Sequence, residues 1–492
     1  MDTTTTTTTN DKPSMTAAST QLAQIHEHVS ALFAGAVIPD MIELAMATAI
    51  SPRVVPDGPP VWLLLEGSAS NGKTEAAETL RDTAAWTDAL TVFVEKVSYA
   101  SLTQGYAQRV GNKVKRAAPL LRAFHRCCWV NPEFSTLLGS RPENAVPILS
   151  TLTAAFDGKL ESSFGNVTEQ GSPVLVTERR FSLLGCITPA VRHKHADLLA
   201  HLGPRFLSYR LLPLTRDEQR QANALARDGE RPARLKSLRE LISAHLRAIV
   251  EQPVSVVIPE HTERILEALA ALVARGRTVV KGEGEHLEIG DTEGTSRVYQ
   301  QLRALLMSLT LVEGATTPSA RALRLVRDVA LSSFHPQRAE ALLVQRESPV
   351  VVEAHPATGL PAHTYWHALT VPTLADCSGL SPSTAGRVLH DLMHLGLYVK
   401  ADPAKWVLIA DPQAGKPPVV YIPKPALANV LNATFESWPP RLITAPDFYR
   451  DEGDSYGGRL SPPDARLAEE MQTRRKQAAT KPQASQVAPI PA

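Results

Sequence analysis

The fold class is decided by one stretch of the chain, Val61-Trp-Leu-Leu-Leu-Glu-Gly67-Ser-Ala-Ser-Asn-Gly72-Lys73-Thr74. An apolar run of strand length precedes the pattern G-x-x-x-x-G-K-T, and residues 75–80 have the composition of a helix start. A strand, a glycine-containing turn and a helix in this order indicate a phosphate-binding loop. An ordinary strand-to-helix turn would also use glycine, but it does not account for the Lys and Thr that follow directly.

The residue types in this loop suit a bound triphosphate. The two glycines allow the backbone to bend so that successive N–H groups point inward, and the helix start adds partial positive charge. Lys73 is expected to reach the β- and γ-phosphates, and the Thr74 hydroxyl is expected to hold Mg²⁺. We therefore predict ATP and Mg²⁺ as cofactors. The predicted binding residues of the loop are Gly67, Ser68, Ala69, Ser70, Asn71, Gly72, Lys73 and Thr74.

Composition and charge limit the function only loosely. A chain of 492 residues suggests two or three domains, and a net charge of +1 argues neither for nor against nucleic acid. The cysteines lack metal-ligand spacing and are interpreted as reduced core residues of a cytoplasmic protein. They are Cys127, Cys128, Cys186 and Cys377. No apolar run is long enough to cross a bilayer, so we expect no membrane partner.

Both ends of the chain are expected to be disordered. Residues 1–20 form a threonine-rich polar leader without the apolar core of a secretory signal. Residues 440–492 are rich in Pro, Arg, Glu and Gln. Apolar spacing predicts two helices over 21–50, which a proline-rich segment beginning at Pro52 ends.

A second strand is predicted over 91–97 because its apolar residues alternate. Lys113, Lys115 and Arg116 then form a small basic cluster in a predicted loop. A solvated turn is the simpler interpretation of this cluster, and a DNA contact is the alternative.

An acidic residue at the end of a buried strand is expected to complete the nucleotide site. The apolar segment 124–130 is followed by Asn131-Pro132-Glu133. Glu133 is predicted to help hold Mg²⁺ and to activate the attacking water. The alternative is an exposed acid after a core strand.

Three further residues are candidates for contacts with the nucleotide, and each has a simpler alternative. Thr188 ends a predicted strand and is placed either to sense the γ-phosphate or only to end the strand. Arg205 precedes another strand and is placed to reach the nucleotide of a neighbouring subunit, where its guanidinium would stabilise charge on the transferred phosphoryl group. The alternative is a surface arginine. Arg297 heads a predicted lid helix and is either a phosphate contact or a solvated residue.

These segments, taken in order, resemble AAA+ ATPases of the phage and plasmid replication type. That group includes the helicase parts of primase-helicases and, more distantly, the minichromosome maintenance helicases. The resemblance covers about residues 35–340. The segments that carry it are Pro60-Val-Trp62, Gly67 to Thr74, Ser101-Leu-Thr-Gln-Gly105, Glu133-Phe-Ser-Thr-Leu-Leu138, Phe156-Asp-Gly158, Thr188-Pro-Ala190 and Leu202-Gly-Pro-Arg205-Phe206.

The resemblance implies an α/β fold, a three-layer αβα P-loop NTPase core with a helical lid, assembled as a homo-oligomeric ring such as a hexamer. It assigns Glu133 to the second acidic motif, Thr188 to the sensor strand and Arg205 to the finger that acts on the neighbour. Arg297 matches the lid sensor loosely. The family's acidic motif normally carries Asp, so Asn131 departs from it, which bears on the hydrolysis rate and not on nucleotide binding.

Residues 373–397 have the pattern of a helix-turn-helix. Gly379 is expected to make the turn, and Ser381 and Pro382 are expected to begin the second helix. Residues 398–400 and 406–409, joined by a polar turn, predict a hairpin wing. The module resembles winged helix-turn-helix domains, which bind DNA or serve as protein-interaction or lid elements. The residues predicted to contact DNA are Ser383, Thr384 and Arg387 in the major groove, with Lys400 and Lys405 near phosphates.

The sequence thus predicts an ATP-dependent DNA helicase or replication ATPase of phage or mobile-element type. The alternative is a DNA-binding nucleotide switch, an origin-binding or regulatory factor with slow or no hydrolysis. A third interpretation is a degenerate ATPase that scaffolds an assembly. The predicted divisions are the leader 1–20, the AAA+ core 21–215, a helical lid region 216–345, the winged helix-turn-helix 360–432 and the tail 440–492.

Overall fold

The structure is a computed structural model of the whole chain. It describes residues 15–35, 38–69, 71–103, 106–110, 113–117, 119–160, 176–177, 180–195, 199, 205–211, 214–252, 254–282, 288–344, 350–352, 363–365, 369–400, 419, 421–424 and 427. These residues form two compact units, one that ends at Ala339 and one that begins at Glu340. Among the helices in these ranges, none combines the length and the apolar character needed to cross a membrane.

Helices account for most of the first unit, and the last of them continues past Ala339 into the second unit. They are α1 Met15–Leu32, α2 Ile38–Val54, α3 Lys73–Glu78, α4 Tyr99–Thr103, α5 Leu120–Ala123, α6 Phe134–Leu138, α7 Pro142–Phe156, α8 Pro189–Lys194, α9 Arg216–Ala226, α10 Arg231–Glu251, α11 Glu260–Arg277, α12 Thr295–Val312, α13 Ala320–Ser332 and α14 Pro336–Val344, with a 3₁₀ helix at Arg81–Ala85. The region 216–345, predicted to be helical, contains α9, α10, α11, α12, α13 and α14.

A five-stranded sheet forms the centre of this unit. The strands of the first unit, which also include those of three two-stranded sheets, are β1 Trp62–Glu66, β2 Thr91–Phe93, β3 Tyr106–Val110, β4 Lys113–Ala117, β5 Cys128–Asn131, β6 Lys159–Leu160, β7 Val176–Thr177, β8 Ser182–Ile187, β9 Leu207–Arg210, β10 Val280–Lys281 and β11 Glu288–Ile289. The sheet has the order β2-β5-β8-β1-β9, and every pairing in it is parallel. The chain is therefore α/β with a central parallel sheet, as predicted.

Helices cover both faces of the sheet, which is why β1 and β8 are buried along their whole length. On one face, Trp62 and Leu183 pack in a core with side chains of α4, α5, α6 and α7. Cys186 points to the opposite face because side chains alternate along a strand. Its Sγ lies 3.5 Å from the carbonyl oxygen of Lys73, so α3 covers that second face. The arrangement is consistent with three αβα layers.

Two predicted helix boundaries are wrong. The first helix begins at Met15, inside the segment predicted as a disordered leader, since Met and Ala residues there favour a helix. The second helix continues through Pro52 to Val54. Proline cannot donate to the carbonyl of Thr48, and the hydroxyl of Ser51 donates to that oxygen instead, at 2.9 Å.

The prediction of a loop around Lys113 is also wrong. Lys113, Lys115 and Arg116 belong to β4, which pairs antiparallel with β3. The strand predicted over 91–97 is shorter than expected, because β2 ends at Phe93.

The second unit contains two helices joined by three residues. Its elements are β12 Val350–Val352, β13 His363–Tyr365, α15 Val371–Ser378, α16 Pro382–His394, β14 Tyr398–Lys400 and β15 Tyr421–Pro423. Gly379 ends α15 with a φ of 69°, a left-handed conformation that favours glycine. Ser381 caps α16 by accepting the N–H of Thr384 at 3.2 Å. The turn and the cap are as predicted.

The strand β14 pairs with a strand that was not predicted from the sequence. Tyr398 and Lys400 pair antiparallel with Pro423 and Tyr421 of β15. The predicted partner, 406–409, lies outside the described residues, as do Ser70, Lys405 and the predicted tail 440–492.

Candidate functional site

The carboxyl ends of β1 and β8 mark a switch point of the sheet. The chain leaves β1 through α3, on one face, and proceeds to β2 at one edge. It leaves β8 through α8 and proceeds to β9 at the other edge. Open parallel sheets bind ligands outside the carboxyl ends of strands at such a point. We refer to residues 67–74, which follow β1 here, as the glycine loop.

The geometry of the glycine loop favours glycine at both of its glycine positions. Gly67 donates its N–H to the carbonyl of Ile187 at 3.2 Å, and a Cβ at this position would lie 3.1 Å from the side chain of Leu211. Gly72 has a φ of 75°, and a Cβ there would lie 3.0 Å from Cδ1 of Ile38. A side chain at Gly72 would be strained by this φ, and a side chain at Gly67 would force the Leu211 side chain to shift.

Gly72→Ala is expected to lower the free energy of unfolding by about 1–2 kcal/mol, the cost of placing a residue with a Cβ in the left-handed region. Gly229→Ala is the matched control, because a Cβ there meets nothing within 4 Å. The control should be neutral or slightly stabilising, since alanine restricts the unfolded chain. Urea denaturation of both variants measures the difference. Equal stabilities would contradict this account of Gly72.

Lys73 is the first residue of α3 and points back across the loop. Its side chain is buried, with 7% exposure, and its Nζ donates to the carbonyl oxygens of Gly67 at 2.7 Å and Ser68 at 2.5 Å. Burial lowers the pKa of the ammonium, while Cys186 and Glu133 act in the opposite direction. The ammonium is thus held over the loop, near Glu133.

Glu133 lies at the same edge of the sheet. Asn131 is level with Gly185 of β8, so the backbone of Glu133 is level with the end of that strand. The Glu133 side chain is exposed at the start of α6. Asn131 is fully buried, donates to the carbonyl of Glu95 at 3.3 Å and accepts the N–H of Glu133 at 3.0 Å. The amide therefore fixes the backbone from which the Glu133 carboxylate projects.

Thr188 is beside the loop as well. Ile187 pairs with Glu66, so Thr188 is level with Gly67 on the neighbouring strand. The Thr188 N–H donates to Oγ of Ser135 at 3.4 Å. Lys73, Glu133 and Thr188 are thus brought to one edge of the sheet, as the sequence predicted.

Arg205 lies at the opposite edge. It precedes β9, whose Leu207 is level with Leu63, near the amino end of β1. Its guanidinium donates to Oδ2 of Asp157 at 2.6 Å, and the residue is 9% exposed. Arg205 is therefore remote from the glycine loop of its own chain.

Arg297 is not brought to the glycine loop either. It is near enough to Arg277 and Glu293 to influence the pKa of both side chains. Arg277 donates to the carbonyl of Phe206, next to the start of β9, at 2.6 Å. Arg297 thus belongs to a group beside the amino end of β9, whereas the glycine loop follows the carboxyl end of β1.

A cavity of about 330 Å³ adjoins the glycine loop. Arg231 lines it, donating to the carbonyl of Leu32 at 2.6 Å and to Oε1 of Glu75 at 2.7 Å. The Arg231 guanidinium lies 5.3 Å from the ring centre of Phe33. Phe33 and Arg231 were not predicted from the sequence, since no local motif marks them.

A buried ion pair lies under the loop and was also missed. Glu66, the last residue of β1, is fully buried and pairs with Arg192 of α8. Arg210 of β9 lies 3.7 Å from the other carboxylate oxygen. Arg192 also donates to the carbonyls of Ser332 at 3.3 Å and Phe334 at 3.1 Å. The only available signal was a charged residue at the end of an apolar strand.

The residues predicted to contact DNA lie mostly on α16. Ser383 and Arg387 are both exposed and four positions apart, so they share one side of the helix. Thr384 belongs to the cap instead, with its Oγ1 2.9 Å from Oγ of Ser381. Lys400 is exposed at the end of β14.

No protein-family model and no curated protein matches the chain. The function therefore has to be argued from the site. The site offers a glycine loop, a lysine, a threonine and a carboxylate at one edge of a parallel sheet, beside a cavity.

Proposed function

We propose that the protein is an ATPase of the AAA+ type that binds ATP and Mg²⁺ at the glycine loop and acts on DNA, as a helicase or replication ATPase. One observation carries the proposal. Lys73 and Glu133 share the carboxyl edge of the sheet with the glycine loop, beside a cavity of about 330 Å³.

The donors present suit a triphosphate and a hard cation. Backbone N–H groups at the start of α3 and the Lys73 ammonium would bind phosphate oxygens. The exposed Thr74 hydroxyl and the Glu133 carboxylate are oxygen ligands of the kind Mg²⁺ prefers, directly or through water. Glu133 would also accept the proton of the attacking water.

The far side of the cavity suits a nucleotide base. Phe33 and the guanidinium of Arg231 provide flat surfaces. Helix α9 lines the same cavity through Gln219 and Asn223, although none of its residues is buried. A helix with so little packing is suited to move when the cavity is filled.

DNA and a second copy of the chain are the proposed partners. Ser383 and Arg387 present hydrogen-bond donors on the exposed side of α16, where a major groove would be read. Arg205 is remote from its own glycine loop, so it could act on a nucleotide only in a neighbouring subunit. A ring of subunits would provide that neighbour.

A DNA-bound nucleotide switch with slow hydrolysis is the second candidate. It is favoured by Asn131, which is a neutral amide committed to backbone hydrogen bonds. It is also favoured by the pairing of Arg205 with Asp157 in its own chain. The neutral amide of Asn131 and the neutralised guanidinium of Arg205 would both slow hydrolysis, and neither changes the glycine loop.

ATP hydrolysis by the purified chain, measured with and without single-stranded and forked DNA, tests the proposal. We expect DNA to stimulate hydrolysis, and Glu133→Gln to slow it by about 10²–10⁴-fold, the usual contribution of a general base. The variant should still bind ATP. Tight ATP binding without turnover under any condition would select the switch, and absence of ATP binding would overturn the proposal.

A further inference from the structure

Two histidines at a spacing that suits a metal ion lie on α16, outside its buried face. His390 and His394 are four positions apart, so their side chains lie one above the other on the helix. The ring centres are 4.2 Å apart, and the two Nε2 atoms are 3.1 Å apart. Both residues are half-buried and lie outside the buried face formed by Val388, Leu389 and Leu392.

The distance between the nitrogens matches two ligands in cis positions on one ion. With each nitrogen about 2.1 Å from the metal, a separation of 3.1 Å corresponds to an angle of about 95° at the ion. That angle is close to the right angle of square-planar or octahedral coordination and smaller than a tetrahedral angle. Nitrogen ligands in a tetragonal arrangement are typical of Cu²⁺ and Ni²⁺.

We propose that His390 and His394 form a bidentate site for a divalent transition-metal ion of the Cu²⁺ and Ni²⁺ class. Within the described ranges, no group of three or more His, Cys, Asp or Glu side chains could hold a metal ion. The remaining coordination positions would therefore be filled by water or by a donor from outside this part of the chain. The site requires no nucleotide and is independent of the ATPase proposal.

Binding of the ion requires a change of tautomer. Without metal, one imidazole donates its Nε2–H to the Nε2 of the other. The donating ring must carry its proton on Nδ1 instead, so that both Nε2 lone pairs face the ion. No bond to carbon changes, and the two imidazoles remain neutral.

Calorimetric titration of the untagged full-length protein with NiCl₂ at neutral pH tests the site. We expect one binding event, with the affinity reduced at least about ten-fold in His390→Ala and in His394→Ala, since each removes one of two ligands. His28→Ala is the control: His28 is also half-buried on a helix but has no histidine four positions away. His394→Gln, which keeps a polar side chain, guards against an effect of altered folding.

Two further measurements decide the outcome. The affinity order should be Cu²⁺ above Ni²⁺, with Zn²⁺ below Cu²⁺. Electron paramagnetic resonance of the Cu²⁺ complex should show one nitrogen fewer in His394→Gln than in the unmodified chain. Equal Ni²⁺ affinities in the unmodified chain and all the histidine variants would overturn the proposal.

Discussion

Lys73→Ala is expected to reduce ATP turnover by at least about 100-fold, the usual cost of removing a preorganised charge from a reacting centre. Lys73 is the residue of the glycine loop with a positive charge, and its Nζ already lies over the loop at 2.7 Å from the carbonyl of Gly67. A phosphate oxygen would replace such carbonyl oxygens as its partner. Without the ammonium, negative charge on the transferred phosphoryl group would lose its nearest cation in the loop.

The same substitution should leave the chain folded. Lys73 bonds to the carbonyls of Gly67 and Ser68, and water can reach the exposed Ser68 when the side chain is removed. Burial lowers the pKa of the Lys73 ammonium, so removing the ammonium also removes the cost of burying its charge. We expect a loss of about 1–2 kcal/mol in the free energy of unfolding, which is small beside the 5–15 kcal/mol or so that is usual for domains.

Steady-state hydrolysis and urea denaturation of the same preparations separate the two effects. Lys281→Ala is the control, since Lys281 is an exposed lysine in β10. It should keep full turnover and stability. Normal turnover by Lys73→Ala would show that the glycine loop is not part of the catalytic site. Unfolding of the variant would show that Lys73 has a structural role.

The glycine loop and its neighbours could be predicted because the signals are local. The loop is contiguous, and its Lys and Thr have a chemical reason to follow Gly72. Glu133 and Thr188 each end an apolar strand, and the carboxyl ends of parallel strands meet at one edge. Sequence order was therefore enough to place these two residues at the same edge of the sheet.

Other features depend on contacts between distant parts of the chain, which no local sequence pattern predicts. The pairing of β14 with β15 was not predicted, because the two strands are separated in the chain. The β3–β4 hairpin did have a local signal, since Gly111-Asn112 lies between two alternating segments. The basic residues that follow led instead to the prediction of a loop. Phe33 and Arg231 meet at the cavity although almost 200 positions separate them.

Glu66→Ala is expected to lower the free energy of unfolding by about 3–5 kcal/mol, the cost of leaving a buried charge without its partner. Glu66 is fully buried, and Arg192, its partner, is only 7% exposed. Arg192 would keep its bonds to the carbonyls of Ser332 and Phe334, but its positive charge would have lost the carboxylate. Because Glu66 directly precedes Gly67, ATP binding at the proposed site should be weakened in the same variant.

Glu240→Ala is the matched control for this effect. Glu240 pairs with Lys236 at 3.8 Å, but the two side chains are 61% and 77% exposed. Water screens such a pair, so its loss should change the free energy of unfolding by no more than about 0.5 kcal/mol. Both variants and the unmodified chain are compared by denaturation in urea. If Glu66→Ala costs no more than Glu240→Ala, the buried pair does not stabilise the fold.

A double-mutant cycle with Arg192→Met tests whether the loss arises from the pair itself. If the carboxylate and the guanidinium act together, removing both should cost less than the sum of the single losses, by about 1–3 kcal/mol. Arg210 should reduce the cost of Arg192→Met, since one of its nitrogens lies 3.7 Å from the Glu66 carboxylate and remains as a second partner. Additive losses would assign the effect to the cavity left by Glu66 and not to charge. A coupling of the expected size would show that an ion pair between residues 126 positions apart holds the strand before the glycine loop to α8.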